Sequence, residues 1–338
     1  DLSSGPAHTS ATLRLDLTAP TGNPTLQLMG PGGMPLATAY PVVGDGRSTA
    51  TAKGGTGGLG DFAFPSARMD ANATVITTVS ATSIHADGSL SITASAATDR
   101  SAYADTYGGG GISVGEAHAD TNVTAMTAVA IGDSTALSSG LDLTVTASSD
   151  HTVAATAKSG GGGFVSGKIA ETTARLTFTT SVAIGAKATL AAGRTLTVQG
   201  QSASTVNTRS ETRSGGAGAG ADSDNTNDDR GSITSGSTTV TIGSGAVLTG
   251  DVVRILAQVT RLAADATARA EAYAVFVASA FANANVEVRS TAAVDIQGAT
   301  TRITGLRGVD LLALQTGVNT TRNAWVRAIA LIPPQHAS

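Results

Sequence analysis

Between Asp222 and Asp229 the chain places four carboxylates and two carboxamides in eight residues, Asp222-Ser223-Asp224-Asn225-Thr226-Asn227-Asp228-Asp229. Hard oxygen donors crowded on a loop are the set that Ca²⁺ takes from a protein. Asp222, Asp224, Asp228 and Asp229 are therefore the candidate metal ligands, and Ca²⁺ is the ion they would hold. The spacing is not that of an EF-hand. Thr226 stands at the fifth position, Asn227 replaces the glycine of the sharp turn, and no Glu closes the loop. The competing reading is a solvated insertion.

Other reactive groups are scattered. Cysteine is absent, which excludes disulfides, thiolate metal sites and a thiol nucleophile. The five histidines, His8, His85, His118, His151 and His336, share no metal-ligand spacing. No Gly-x-Ser-x-Gly elbow accompanies the serines, and no glycine tract ends in Gly-Lys-Ser/Thr. Paired carboxylates could meet across a fold, but sugar sites favour aromatic platforms, and the chain has one tryptophan, Trp325. The expectation is a protein that is not an enzyme.

What positions all of these residues is a degenerate repeat. Leu90-Ser91-Ile92-Thr93-Ala94 has counterparts beginning at Leu143, Leu196, Val253 and Val309, spaced 53, 53, 57 and 56 residues apart. A second apolar position precedes each, at Ile84, Leu137, Leu190, Leu248 and Ile303. Self-similarity at a fixed period marks stacked repeats, each a unit that buries its apolar face only against its neighbours. The repeats run at about 48–100, 101–150, 151–204, 205–260 and 261–316, with a truncated sixth from Gly317. Residues 1–47 form a proline-rich segment, read as a cap, linker or strand donor. Residues 317–338 form a partial repeat and tail.

Period-two alternation, β-branched residues and glycine punctuation predict strands. The alanine-rich stretch Ala263–Ala284 occupies a strand slot despite its helix propensity. Of the nine prolines only Pro65 falls within 48–332, as a largely paired backbone requires. Fifty-three extended residues would trace roughly 175 Å at ~3.3 Å each. One wide, flattened coil per repeat fits, with the glycine tract turning one edge and the Gly140-type turn shaping the other. The predicted fold is all-β, an elongated parallel β-solenoid with coils of about 53–57 residues. Its interior is thin: hydrophobic residues make up 41% of the chain but aromatics only 3%.

A net charge of −4 without a basic run disfavours nucleic acid and anionic lipid as partners. No apolar stretch approaches the ~20 residues of a membrane span. The chain opens on Asp1, not Met, and reads as a segment processed from a longer exported precursor.

Alternating Thr-Ala strands, a glycine tract, then Ile-Gly-x-x-x-x-Leu-x-x-Gly-x-x-Leu-x-Val together resemble the repeat regions of very large bacterial surface proteins. The pattern is similar to the β-solenoid stalks of adhesins and of filamentous-haemagglutinin-type exoproteins, over residues 48–316. That resemblance implies export to the cell surface or beyond, and a structural or adhesive role. It also implies a surface glycan or host ligand as a possible partner, and it carries no catalytic residue to transfer.

The interaction surfaces expected of a solenoid are its open ends. Leu13, Leu15 and Leu17 alternate with polar residues in a strand with one apolar face. Trp325, Ile329 and Leu331 lie in a second strand near the other end. Each either caps its own coil or completes a neighbouring molecule, and a head-to-tail contact that does not close makes a filament. In the fifth repeat, Tyr273, Phe276 and Phe281 replace the glycine tract with a segment apolar at both parities, the mark of a subunit contact or a packed end-cap. The runner-up function is a carbohydrate-binding or carbohydrate-cleaving β-helix.

Overall fold

The computed structural model describes residues 13–17, 26–29, 35–39, 47–55, 57–80, 83–224 and 231–331, those before residue 48 as backbone only. Strands β1 (Leu13–Leu17), β2 (Leu26–Met29) and β3 (Pro35–Ala39) come first. Coil one contains β4 (Arg47–Gly54), β5 (Gly57–Ala63), β6 (Ser66–Val79) and β7 (Ser83–Ala86). Coil two contains β8 (Leu90–Ile131) and β9 (Ala136–Ser139), and coil three β10 (Leu143–Ile184) and β11 (Thr189–Ala192). Coil four contains β12 (Thr195–Asp224) and β13 (Gly231–Ile242), and coil five β14 (Val247–Asn283) and β15 (Val286–Ile296). Strands β16 (Arg302–Gln315) and β17 (Val318–Ala330) begin coil six. The first residues of β14 and β16 also close the coil before. There is no helix among the described residues, and β4 to β17 form one parallel sheet wound on itself as an elongated β-solenoid.

The anchors predicted from the repeat are adjacent rungs. Leu90, Leu143, Leu196, Val253 and Val309 are successive Cα partners. So are Ile84, Leu137, Leu190, Leu248 and Ile303. One repeat is therefore one coil. Pro65, the one proline inside the repeats, falls in the gap between β5 and β6.

Within each coil the chain goes out along one arm, turns in the glycine tract, and returns along a second. Side-chain contacts mirrored about the tract establish this: Ser149 Oγ lies 2.7 Å from Thr180 Oγ1, Ser202 Oγ 2.7 Å from Thr238 Oγ1, and Thr212 Oγ1 3.0 Å from Ser223 Oγ. A stack of Ala, Ser and Thr lets the arms lie close, and these facing hydroxyls bond to each other, while the enclosed hydroxyls of Ser204, Ser210 and Thr234 find no partner among the described residues. Glycine is needed at the turn because coils touch there through backbone. A Cβ on Gly161 (φ 139°) would lie 1.8 Å from the carbonyl oxygen of Gly108 one coil away.

At the other edge the arms splay around a short third side, and the interior widens into a three-sided Leu/Ile/Val core. Ile184, Leu190 and Leu196 are fully enclosed there. The corner after each Ile-Gly pair is a tight turn in which Thr135, Ala188 and Ala246 donate their amides to the carbonyls of Gly132, Gly185 and Gly243. Its third residue is left-handed in three successive coils, at Ser134, Lys187 and Gly245.

Two enclosed side chains make this interior testable. Phe178 lies on Gly236 of the next coil, where a Cβ would be 2.1 Å from the ring. Gly236→Ala is expected to lower stability by about 1–3 kcal/mol through overpacking, and Phe178→Leu to recover part of it, read by denaturant unfolding. His151 is buried, with Nδ1 2.9 Å from the Thr98 hydroxyl and the ring 6.0 Å from Phe178. Burial pushes its pKa down to about 4, against the opposing charge of Asp150. The unfolded chain therefore binds this proton first. Stability should be unaffected above pH 6.5, fall as pH drops from there towards 4, and level off below, by up to about 3 kcal/mol. Thermal unfolding of His151→Leu should lack this component.

Candidate functional site

The C-terminal end of the described solenoid is a half coil. Strands β16 and β17 cover the first arm of coil five, and no second arm of coil six is present among the described residues. The inward side chains Val309, Leu311, Val318 and Val326 are consequently 40–55% exposed, whereas Val253, Ile255, Leu262 and Ala270 beneath them are at most 1% exposed. The exposed backbone has a definite polarity. The Leu331 amide donates to the carbonyl of Ala274 and the Leu262 amide to that of Gly317. In a parallel ladder the N–H and C=O of one residue point the same way. Odd-numbered residues of β17 therefore bond to coil five, and the amides of Val326 and Ala328 face the open edge.

At the opposite end, β1 pairs antiparallel with β6, Leu13 with Val79 through Leu17 with Val75. Leu13, Leu15 and Leu17 thus lie on a strand held by their own chain. Among the described residues, strands β4 and β5 pair on one side only, with β8. Register places Val75–Val79 in the same column as Ala292–Ile296 of β15, the last second-arm rung at the C-terminal end.

On the outer face of the first arm, Lys53, Asp105, Lys158, Glu211 and Arg269 are successive rungs, alternating in sign over five coils. Trp325 ends the column, with the Arg269 guanidinium 4.6 Å from its ring centre. One column over, Arg213 and Arg269 both bond to the enclosed Glu271, the first at 2.8 Å. Burial would raise that carboxyl, but hydrogen bonds from Arg269 and Arg213 outweigh it and hold the group below the ordinary carboxylate range. Tyr273 sits beneath Arg327, 5.6 Å from its guanidinium, and Ile329 pairs with Tyr273.

Asp222 and Asp224 end β12, in register with Ile169 and Glu171. Asp228 and Asp229 lie outside the described residues. The segment is an insertion, since Glu171 pairs 53 residues ahead with Asp224 and Thr173 pairs 58 ahead with Gly231. Beside it is a cluster that sequence spacing within one repeat did not reveal. His118 meets Glu116 at 2.5 Å through Nε2 and Glu171 at 2.8 Å through Nδ1. The three groups lie within 4.8 Å of one another. The 53-residue offset between His118 and Glu171 was the available signal.

The glycine-turn edge carries the feature the sequence reading saw only in its fifth copy. Five of the six phenylalanines, Phe62, Phe64, Phe164, Phe276 and Phe281, are 52–69% exposed here, joined by Leu59 and Tyr107. The first outward column after the turn reads Gly60, Ile112, Val165, Gly218 and Val277. The next reads Phe62, Val114, Gly167, Gly220 and Ser279. Neither column holds a charge in any of the five coils. Only Phe178 is used as core, and the other five phenylalanines are exposed.

No protein-family model, curated protein or solved structure matches the chain. No helix among the described residues is long and apolar enough to cross a membrane.

The sign-alternating column makes its own prediction. Lys158→Glu sets three like charges on consecutive rungs and should destabilise by about 1 kcal/mol at low ionic strength, the loss shrinking as salt is added.

Proposed function

We propose that this chain is a load-bearing segment of an exported surface protein, a β-solenoid stalk or filament subunit that joins end to end by backbone pairing and performs no catalysis. The observation that carries the reading is the complementary step at the two ends. Among the described residues, the last rungs are a first-arm edge in coil six and, one rung lower, a second-arm edge in β15. Among the described residues, the first-arm strand β4 at the N-terminal end has no strand on its outer side, and an added strand, β1, lies over the base of the second arm. Stacked in register, β17 would meet β4, while β1 would fill the rung over Ala292–Ile296.

Such a joint continues the hydrogen-bond ladder that already links the coils, so its strength comes from the interaction that holds the subunit together. It also covers Val326, which shares its column with Gly54 of β4. A heterologous contact of this kind does not close, and its product is a rod. Stalk and filament subunit share this mechanism.

Electron microscopy of the purified chain is expected to show rods that lengthen with concentration. Val326→Pro and Ala328→Pro each delete an amide that faces the open edge and leave bonds to coil five intact. Both variants should melt like the parent but give single particles. Arg327→Pro deletes an inward bond and should lower the melting temperature as well. Discrete particles from the parent chain at every concentration would reject end-to-end joining.

A further inference from the structure

We propose that Glu116, His118 and Glu171 form a binding site for one divalent transition metal of the Zn²⁺ class, which pins coil two to coil three on the outer face of the second arm. The site shares no residue with the end-to-end joint and does not depend on it.

The donor set fits such an ion. One imidazole and two carboxylates, drawn from two coils, each bring a ligand atom within 4.8 Å of the others. Zn²⁺ takes imidazole nitrogen and carboxylate oxygen at about 2.0–2.2 Å, so ligand atoms around it lie roughly 3.4 Å apart. In the metal-free arrangement Glu116 meets Nε2 of His118 and Glu171 meets Nδ1. An imidazole gives a metal one nitrogen. Shifts of about 1 Å, within the torsional freedom of a glutamate, bring both carboxylates to an ion seated there. Imidazole in the set selects against Ca²⁺ and Mg²⁺, which prefer shells of oxygen.

The surroundings favour a cation over the ion pairs alone. Two neighbouring columns run through the site, one of Glu116, Ile169, Asp222 and Phe281 and one of Ser66, His118, Glu171, Asp224 and Asn283. Together they hold four acids and neither Lys nor Arg on any of these rungs. Asp224 directly follows Glu171 in its column, and like charges on adjacent rungs repel. The first arm handles its charges differently, reversing sign at every rung from Lys53 to Arg269. One imidazole carries at most a single positive charge against these carboxylates. A divalent ion adds two more where they crowd. The side chains of Glu116, His118 and Glu171 are 31%, 30% and 15% exposed, so an ion reaches them from solvent and keeps water on its open positions.

Calorimetric titration of the full chain with Zn²⁺ is expected to show one ion bound per chain with micromolar affinity. His118→Gln and Glu171→Gln should each weaken it about tenfold or more. His85→Gln, at a histidine paired with Asp87 on coil one, should leave it unchanged. Saturating Zn²⁺ should raise the melting temperature of the parent chain and not that of His118→Gln. In the unaltered chain, the His118 imidazole resonances should move as Zn²⁺ is added, which tests the site without any substitution. Three outcomes overturn the proposal: no Zn²⁺ bound through roughly 1 mM; Zn²⁺ binding that survives His118→Gln undiminished, which would place the ion on the acidic insertion; or Ca²⁺ displacing Zn²⁺ on equal terms.

Discussion

Backbone pairing between successive coils is the interaction on which everything else in this molecule rests. Each rung of the long arms is satisfied by the rung above and the rung below, so hydrogen bonding runs along the axis, and side chains only have to avoid disturbing it. That inverts the usual division of labour. In a globular domain packing selects the fold and the backbone follows. Here the ladder can be maintained by any side chain small enough to let two arms lie face to face.

The interior reflects that permissiveness. Along the arms it is Ala, Ser and Thr, with hydroxyls meeting in pairs such as Ser149 with Thr180. Large aliphatic residues are confined to the three-sided end, where Ile184, Leu190 and Leu196 fill the wider space. Aromatic residues are nearly excluded from both. Phe178 is accommodated only because coil four supplies Gly236 beneath it. Aromatics on the turn edge therefore lie outside the part of the molecule that packs as core.

Much of this was legible in the residues. Leu90, Leu143, Leu196, Val253 and Val309 showed their alignment through spacing alone, because an in-register ladder preserves sequence offset as spatial adjacency. The same property exposed the glycine tract as a turn and kept Ala263–Ala284 in a strand slot. The relation between the arms was not legible. Which residue of the outgoing arm faces which residue of the returning arm depends on where in the tract the chain reverses, and several glycines serve equally. The Glu116, His118 and Glu171 cluster was missed because its members belong to different repeats and were sought within one. Tyr273, Phe276 and Phe281 drew notice as an exception to the glycine rule, while Phe62, Phe64 and Phe164 on the same edge were passed over one at a time.

The column from Lys53 to Arg269 bears on how such a chain finds its structure. Near-identical coils invite misthreading, in which one repeat is looped out and the strands flanking it pair directly. Because the sign reverses at every rung, omitting a single coil sets Asp105 on Glu211, or Lys158 on Arg269. Omitting two restores attraction, at the expense of leaving more than a hundred residues unpaired. The alternation thus works as a parity check during winding, discouraging the commonest error of a repetitive polymer with side chains that contribute little once the correct order is reached.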